Sequence, residues 1–307
     1  MPAGHDSNTS EHYRESFPRR KAHELLLRKL LLWGPTVTRL KLTLIGVLSI
    51  LLLRMFSFSW LRVSGAGKQP VNIDGNPRTP VLIELFTSEG CSSCPPADAL
   101  LRKLDESQPV SGAELIVLSE HVDYWNDIGW KDPYSSREFS ERQRVYAEQF
   151  GLNGVYTPQM VVDGHFEFVG SDERRALRTA EEATKVQKVP VVLSSIRREI
   201  NNGIVLHVEI GPLRSNLAQS GNVLIAVADD SDESHVTNGE NTGRTLKHVA
   251  VLRSLISVGT VDGAREFSRE VKVNDSGRNS RNLRVVVIVQ EKHGGRVWGV
   301  GLATLSN

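Results

Sequence analysis

"VLIELFTSEGCSSCPPADALLRKL", residues 81–104, holds both cysteines of a 307-residue chain, Cys91 and Cys94. "VLIELF" (81–86) is a short apolar run, as expected of a strand covered on both faces. "TSEGCSSC" (87–94) reads as a turn. "PPADALLRKLDES" (95–107) reads as a helix. Its prolines fall in the first turn, where no amide is needed, and Asp98 suits the positive end of the helix dipole. Leu100, Leu101 and Leu104 give it an apolar stripe. The cysteine pair therefore sits where a first strand turns into a first helix.

The next elements follow by the same reasoning. "AELIVLSEHV" (113–122) is a second strand with a polar end at Glu120 and His121. "SSREFSERQRVYAEQFG" (135–151) is a helix capped by Ser135 or Ser136 and ended by Gly151. "QMVVDGHFEFVG" (159–170) is a hairpin turning at Asp163-Gly164. "SDERRALRTAEEATKV" (171–186) is a polar-faced helix. The order β-α-β-α-β-β-α over 80–187 is that of a thioredoxin-like domain. A C-x-x-C at its first strand-to-helix turn has a physical role, because a helix start favours the thiolate, which is the attacking species. Thioredoxin folds also carry a cis-proline before the hairpin, beside the cysteines. Thr157-Pro158 occupies that place, so its bond is expected to be cis, with Thr157 in the substrate-binding region.

"VLIELFTSEGCSSCPPADALL", "HVDYWNDIGWKDPYSSREFSERQRVYA" (121–147) and "VYTPQMVVDG" (155–164) resemble the thioredoxin-like family catalogued as domain of unknown function 1223. "GENTGRTLKHVAVLRSL" (239–255) resembles the carboxy-terminal part of that family. The likeness runs over roughly 80–305. It implies the fold, and it implies an activity only through the thioredoxin analogy.

Four readings of the cysteine pair stand side by side. Thiol–disulfide exchange would use Cys91 as attacking and Cys94 as resolving thiol, with no cofactor. A structural disulfide would close so short a loop that it would stabilise little. A metal site would need more ligands than one cysteine pair, and a copper(I) site would draw on His121 or Glu120. The fourth reading is two thiols without chemistry. The prolines follow the pair instead of splitting it. Because the residue before a proline is pushed from the helical region, Cys94 and Pro95 are expected to be non-helical, with the helix starting at Pro96. Glu84, seven residues before Cys91, is a candidate base for the resolving thiol, since burial raises a carboxyl's pKa. Its alternative is a structural carboxylate. "HVDYWNDIGWKDPY" (121–134) inserts Tyr124, Trp125, Trp130 and Tyr134, which form either a lid or substrate groove or packing that holds the second domain in place.

Hydrophobic residues make up 39 % and charged residues 24 %, with a net charge of +1. That balance gives no case for nucleic acid as a partner. Residues 1–66 read as a disordered N-terminus plus an export signal or membrane anchor, on the charge-free "LTLIGVLSILLL" (42–53) behind a basic flank. The expected location is extracytoplasmic (periplasmic, secreted or membrane-anchored), where disulfides persist. The expected partner is a protein thiol or disulfide. Membrane contact would come through the N-terminal segment. Residues 67–79 read as a linker. From 188 to 307, seven strand-like runs separated by turn residues suggest a β-rich, sandwich-like second domain. A non-catalytic interaction module and a copper(I)-handling protein are the alternatives to an oxidoreductase.

Overall fold

A computed structural model of the chain describes residues 78–199, 203–213, 220–263, 266–274 and 282–306. The expected export signal or anchor in 1–66, and all but the last two residues of the 67–79 linker, lie outside the described residues. Among the described residues, no helix is long and apolar enough to cross a membrane.

Strand β1 (Thr79–Thr87) leads through the cysteine turn into α1 (Pro95–Ser107), and β2 (Ala113–His121) lies parallel to β1. Helix α2 (Arg137–Gln149) starts at Ser136, whose hydroxyl accepts the Glu138 amide at 3.2 Å. Strands β3 (Gln159–Val162) and β4 (Phe166–Val169) form the hairpin, with β3 antiparallel to β1. Asp163 and Gly164 at its turn have φ of 51° and 61°, the left-handed geometry an Asp-Gly pair supplies. Gly164 is also required by space, since a Cβ there would lie 2.4 Å from the Gly295 carbonyl oxygen. Helix α3 (Glu173–Thr184) follows.

β1 is apolar on both faces because it is covered on both. Val81, Ile83 and Leu85 pack with Leu100, Leu101 and Leu104 of α1 and Ala176, Ala180 and Ala183 of α3. Each such leucine contributes about 1.5–3 kcal/mol when fully buried. Leu82 and Phe86 face the other way, and so does Glu84 between them.

All seven expected strand runs after residue 188 form strands: β5 (Val191–Arg198), β6 (Gly203–Ile210), β7 (Gly221–His235), β8 (Thr245–Val261), β9 (Phe267–Asn274), β10 (Asn282–Glu291) and β11 (Val297–Ser306). They do not form a sheet system of their own. β8 lies beside β2 in parallel, with Ser119 opposite Val251, and one eight-stranded sheet runs β11-β10-β7-β8-β2-β1-β3-β4. The sandwich-like part is a three-stranded sheet, β5-β6-β9, sharing a core with β7, β10 and Trp298 of β11. A further cluster joins Leu82, Ile116 and Phe139 to Ala226, Leu252 and Val286. The segments 80–187 and 188–307 thus share a sheet and a core, and the described residues fall in one compact unit, Gly65–Asn307. Alternation of apolar residues reports that a strand exists but not which strand lies next to it, so β8 joining β2 is invisible in the pattern.

Candidate functional site

The cysteine turn is built from two successive backbone turns. The Cys91 amide donates to the Ser88 carbonyl at 3.1 Å, and the Cys94 amide to the Cys91 carbonyl at 3.2 Å. Cys94 is the N-cap of α1, with helical dihedrals (φ −78°, ψ −37°), and the helix begins at Pro95. The expectation of a non-helical Cys94 and Pro95 is therefore corrected. The 91–94 turn outweighs the pre-proline bias, and Pro95 and Pro96 stand where the helix leaves no amide to satisfy.

Cys91 is 1 % exposed and Cys94 fully buried, both as free thiols. The Cys91 Sγ lies 3.8 Å from the carbonyl oxygen of Thr157, and the Thr157–Pro158 bond is cis, as expected. The pair is electrostatically asymmetric. The hydrogen bond from Cys94 lowers Cys91 to about 7 against burial, helped by Thr157 and the Ser93 and Cys94 amides. Burial pushes Cys94 up, as do Cys91 and Asp98.

Glu84 does not serve this pair. It points to the α2 face, where the Arg142 Nε donates to it at 2.6 Å and the Tyr146 hydroxyl at 2.6 Å. Glu120 lies on the same side, 3.6 Å from Arg142 Nε. The expectation of Glu84 as base is corrected by strand alternation, since the helix bearing Cys94 covers the opposite face of β1. The carboxylate beside Cys94 is Asp98, one helical turn on. Thr87 links the two: its hydroxyl donates to Asp98 Oδ1 at 2.9 Å and acts on Cys94 to lower its pKa, against the effect of burial. Burial raises the pKa of Asp98, opposed by His248 and His121. In the sequence Asp98 reads only as a dipole partner, because the histidines that face it come from distant strands.

The aromatic insertion divides its roles. The Trp125 indole donates to Thr157 Oγ1 at 2.8 Å, so this ring stands at the Cys91 side. Tyr124 donates to Gln143 Oε1 at 3.1 Å. Trp130 donates to Glu89 Oε2 at 2.8 Å, a packing role, while Gly239 lies against its Cβ.

The second half of the chain reaches the same place. Asn241 Nδ2 donates to the carbonyl oxygens of Glu89 at 2.8 Å and Cys91 at 3.0 Å. The Ser92 amide donates to Glu240 Oε2 at 3.0 Å. His248, 1 % exposed at its side chain, meets Glu89 Oε1 at 3.1 Å. His121 Nδ1 lies 2.7 Å from Asp132 Oδ2, and the two imidazole centroids are 4.6 Å apart. Burial lowers the pKa of His121, but Asp132, with Asp98 and Glu89, outweighs it and the net shift is upward. Among the described residues, no group of three or more His, Cys, Asp or Glu side chains is placed to hold a metal ion.

The family model described as "Protein of unknown function (DUF1223)" matches residues 82–290. The chain belongs to this family. The match takes in the cysteine turn, Thr157-Pro158 and the Asn241–His248 segment, so the whole constellation lies within the family region. A crystal structure of a protein from Agrobacterium tumefaciens is 27 % identical, covers 74 % of this chain and 95 % of its own, and superposes with a TM-score of 0.56. HBP35 of Porphyromonas gingivalis is 12 % identical, with 74 % and 75 % covered and a TM-score of 0.53, a likeness of fold alone. No curated protein matches the chain.

Proposed function

We propose that this chain is a thioredoxin-like thiol–disulfide oxidoreductase working outside the cytoplasm, with Cys91 attacking and Cys94 resolving. The observation that carries the reading is the asymmetric pair at the start of a 13-residue helix, Cys91 lowered to about 7 and Cys94 raised. The parallel β1-α1-β2 unit, the β3-β4 hairpin, α3 and Pro158 beside Cys91 support the thioredoxin likeness.

The Cys91 thiolate attacks one sulfur of a substrate disulfide. A mixed disulfide forms, the substrate S–S bond breaks, and one substrate thiolate leaves. Cys94 gives its proton to the Thr87 hydroxyl oxygen, which passes its own hydrogen to Asp98. The Cys94 thiolate then attacks Cys91 Sγ, and the second substrate thiolate leaves. The cysteine pair has lost two electrons to the substrate disulfide, which leaves as two thiolates, and the Cys94 proton rests on Asp98. Run backwards, the same steps oxidise a substrate dithiol. No cofactor enters, and the partner is a protein thiol or disulfide.

A non-catalytic scaffold with a structural disulfide is the second reading, favoured by the near-complete burial of Cys91. Equilibration with glutathione or dithiothreitol separates the two. A reduction potential of about −120 to −270 mV is expected for exchange, and one below about −300 mV would sink it.

A further inference from the structure

Resting on the exchange reading, we infer that the Glu89–His248 pair is a second proton carrier of the thiol site, accepting from Asp98 the proton that leaves Cys94. The inference starts from two orphaned nitrogens. His248 Nδ1 and His121 Nε2 are both buried and have no hydrogen-bond partner. In each ring the other nitrogen meets a carboxylate, His248 Nε2 meeting Glu89 Oε1 at 3.1 Å and His121 Nδ1 meeting Asp132 Oδ2 at 2.7 Å. A carboxylate accepts, so the shared hydrogen sits on His248 Nε2, and in the neutral ring Nδ1 keeps a free lone pair. That lone pair lies 3.9 Å from Asp98 Oδ1. A side-chain shift of about 1 Å brings the two into hydrogen-bond range.

Glu89 is itself held firmly. Trp130 donates to Oε2 at 2.8 Å and Ser234 donates to Oε1. A carboxylate fixed in this way orients the imidazole and stabilises the imidazolium once it forms. The transfer balances: protonated Asp98 and neutral His248 become the Asp98 carboxylate and an imidazolium paired with Glu89. Asp98 is then ready for the next turnover, and in the reverse direction the proton returns to Cys94. The groups facing His248 are Glu89 from the cysteine turn, Asp98 from α1, His121 from β2, Tyr134 from the aromatic insertion and Asp232, its cross-strand partner on β7. This assigns a task to the second half of the chain, because β8 delivers the carrier.

The test uses the full reduced chain and the small aromatic disulfide 5,5′-dithiobis(2-nitrobenzoate), followed by release of the coloured thiol. The first release reads attack by Cys91 and the second reads resolution by Cys94. His248→Gln keeps a donor toward Glu89 and removes the Nδ1 base. Its first release should stay within about twofold of the wild type, while the second slows about 100-fold, the low end for a lost proton carrier. Glu89→Gln, a second variant, should slow the same phase while leaving the first. A second release in both variants at the wild-type rate overturns the relay and leaves the exchange reading intact. No release at all from the wild type overturns both.

Discussion

The Asn241 side-chain amide lies 3.0 Å from the Cys91 carbonyl oxygen, across 150 positions of sequence. The same amide nitrogen binds the Glu89 carbonyl, and the Arg244 Nη1 donates to the Asn241 Oδ1 at 3.0 Å. The β7–β8 loop thereby straps the cysteine turn from above. Asn241→Ala removes the donor from two carbonyls at once, and leaving buried acceptors unmade costs about 1–3 kcal/mol each at most. We expect stability in urea to fall within that range and Cys91 alkylation to accelerate. Unchanged alkylation would mean that the strap does not control access to the thiol.

Titration of Cys91 follows from its neighbours. The largest influence lowering it to about 7 is the hydrogen bond from Cys94. The rate of iodoacetamide labelling, read by mass spectrometry, should therefore rise through a midpoint near 7 in the wild type. In Cys94→Ala the midpoint should move up toward the ordinary thiol range, since burial then acts with less opposition. A midpoint that stays put would assign the lowering to Thr157 and the turn amides instead.

Much of this was legible in the chain, for identifiable reasons. Short-range signals carried the elements: apolar runs with turn residues marked every strand after residue 188, and Asp163-Gly164 marked the hairpin turn. The cysteine turn and Thr157-Pro158 stood out because each combines unusual residues at a junction. What escaped is long-range. Glu84 interrupts an apolar strand whichever face it takes, so the sequence did not reveal that Arg142 and Tyr146 would hold it away from the cysteines. Glu89 and Asp98 lie in the one stretch 81–104, and His248 joins them only when β8 pairs with β2. Among these, Asp98 was the one with a visible hint, as an acidic residue in the first turn of a helix.

Glu120 offers a stability test with a defined sign. Burial, and after it the neighbouring Glu84 charge, pushes its carboxyl well above the ordinary range, and neither oxygen has a hydrogen bond. The folded chain thus keeps a proton that the unfolded chain releases. Its contribution to stability is greatest below the unfolded carboxylate pKa. It is lost as pH rises from there toward the folded value. Glu120→Gln, a near-isostere of the neutral acid, should match the wild type in thermal melts at acid pH and pull ahead as pH rises. A constant difference across pH would show that Glu120 is ionised in the folded chain.

Arg284 ties the helix that carries Cys94 to the far end of the sheet. From β10 its Nη1 and Nη2 meet the two Asp105 oxygens at 2.6 and 2.8 Å, and its Nε meets Asp230 at 2.7 Å. Asp105 lies on α1, so this fork joins the cysteine helix to the second half of the chain. The guanidinium is only 11 % exposed, so water replaces the lost bonds poorly. Arg284→Lys keeps the charge but cannot reproduce the two parallel bonds. We expect it to lower urea stability by about 1 kcal/mol, and Arg284→Ala by about 2–3 kcal/mol, because two partly buried carboxylates then lose a charged donor. Both variants should still unfold in a single transition seen alike by tryptophan fluorescence and circular dichroism, since the two halves share a sheet and a core. Two separate transitions would mean that residues 80–187 and 188–307 fold independently despite the sheet that joins them.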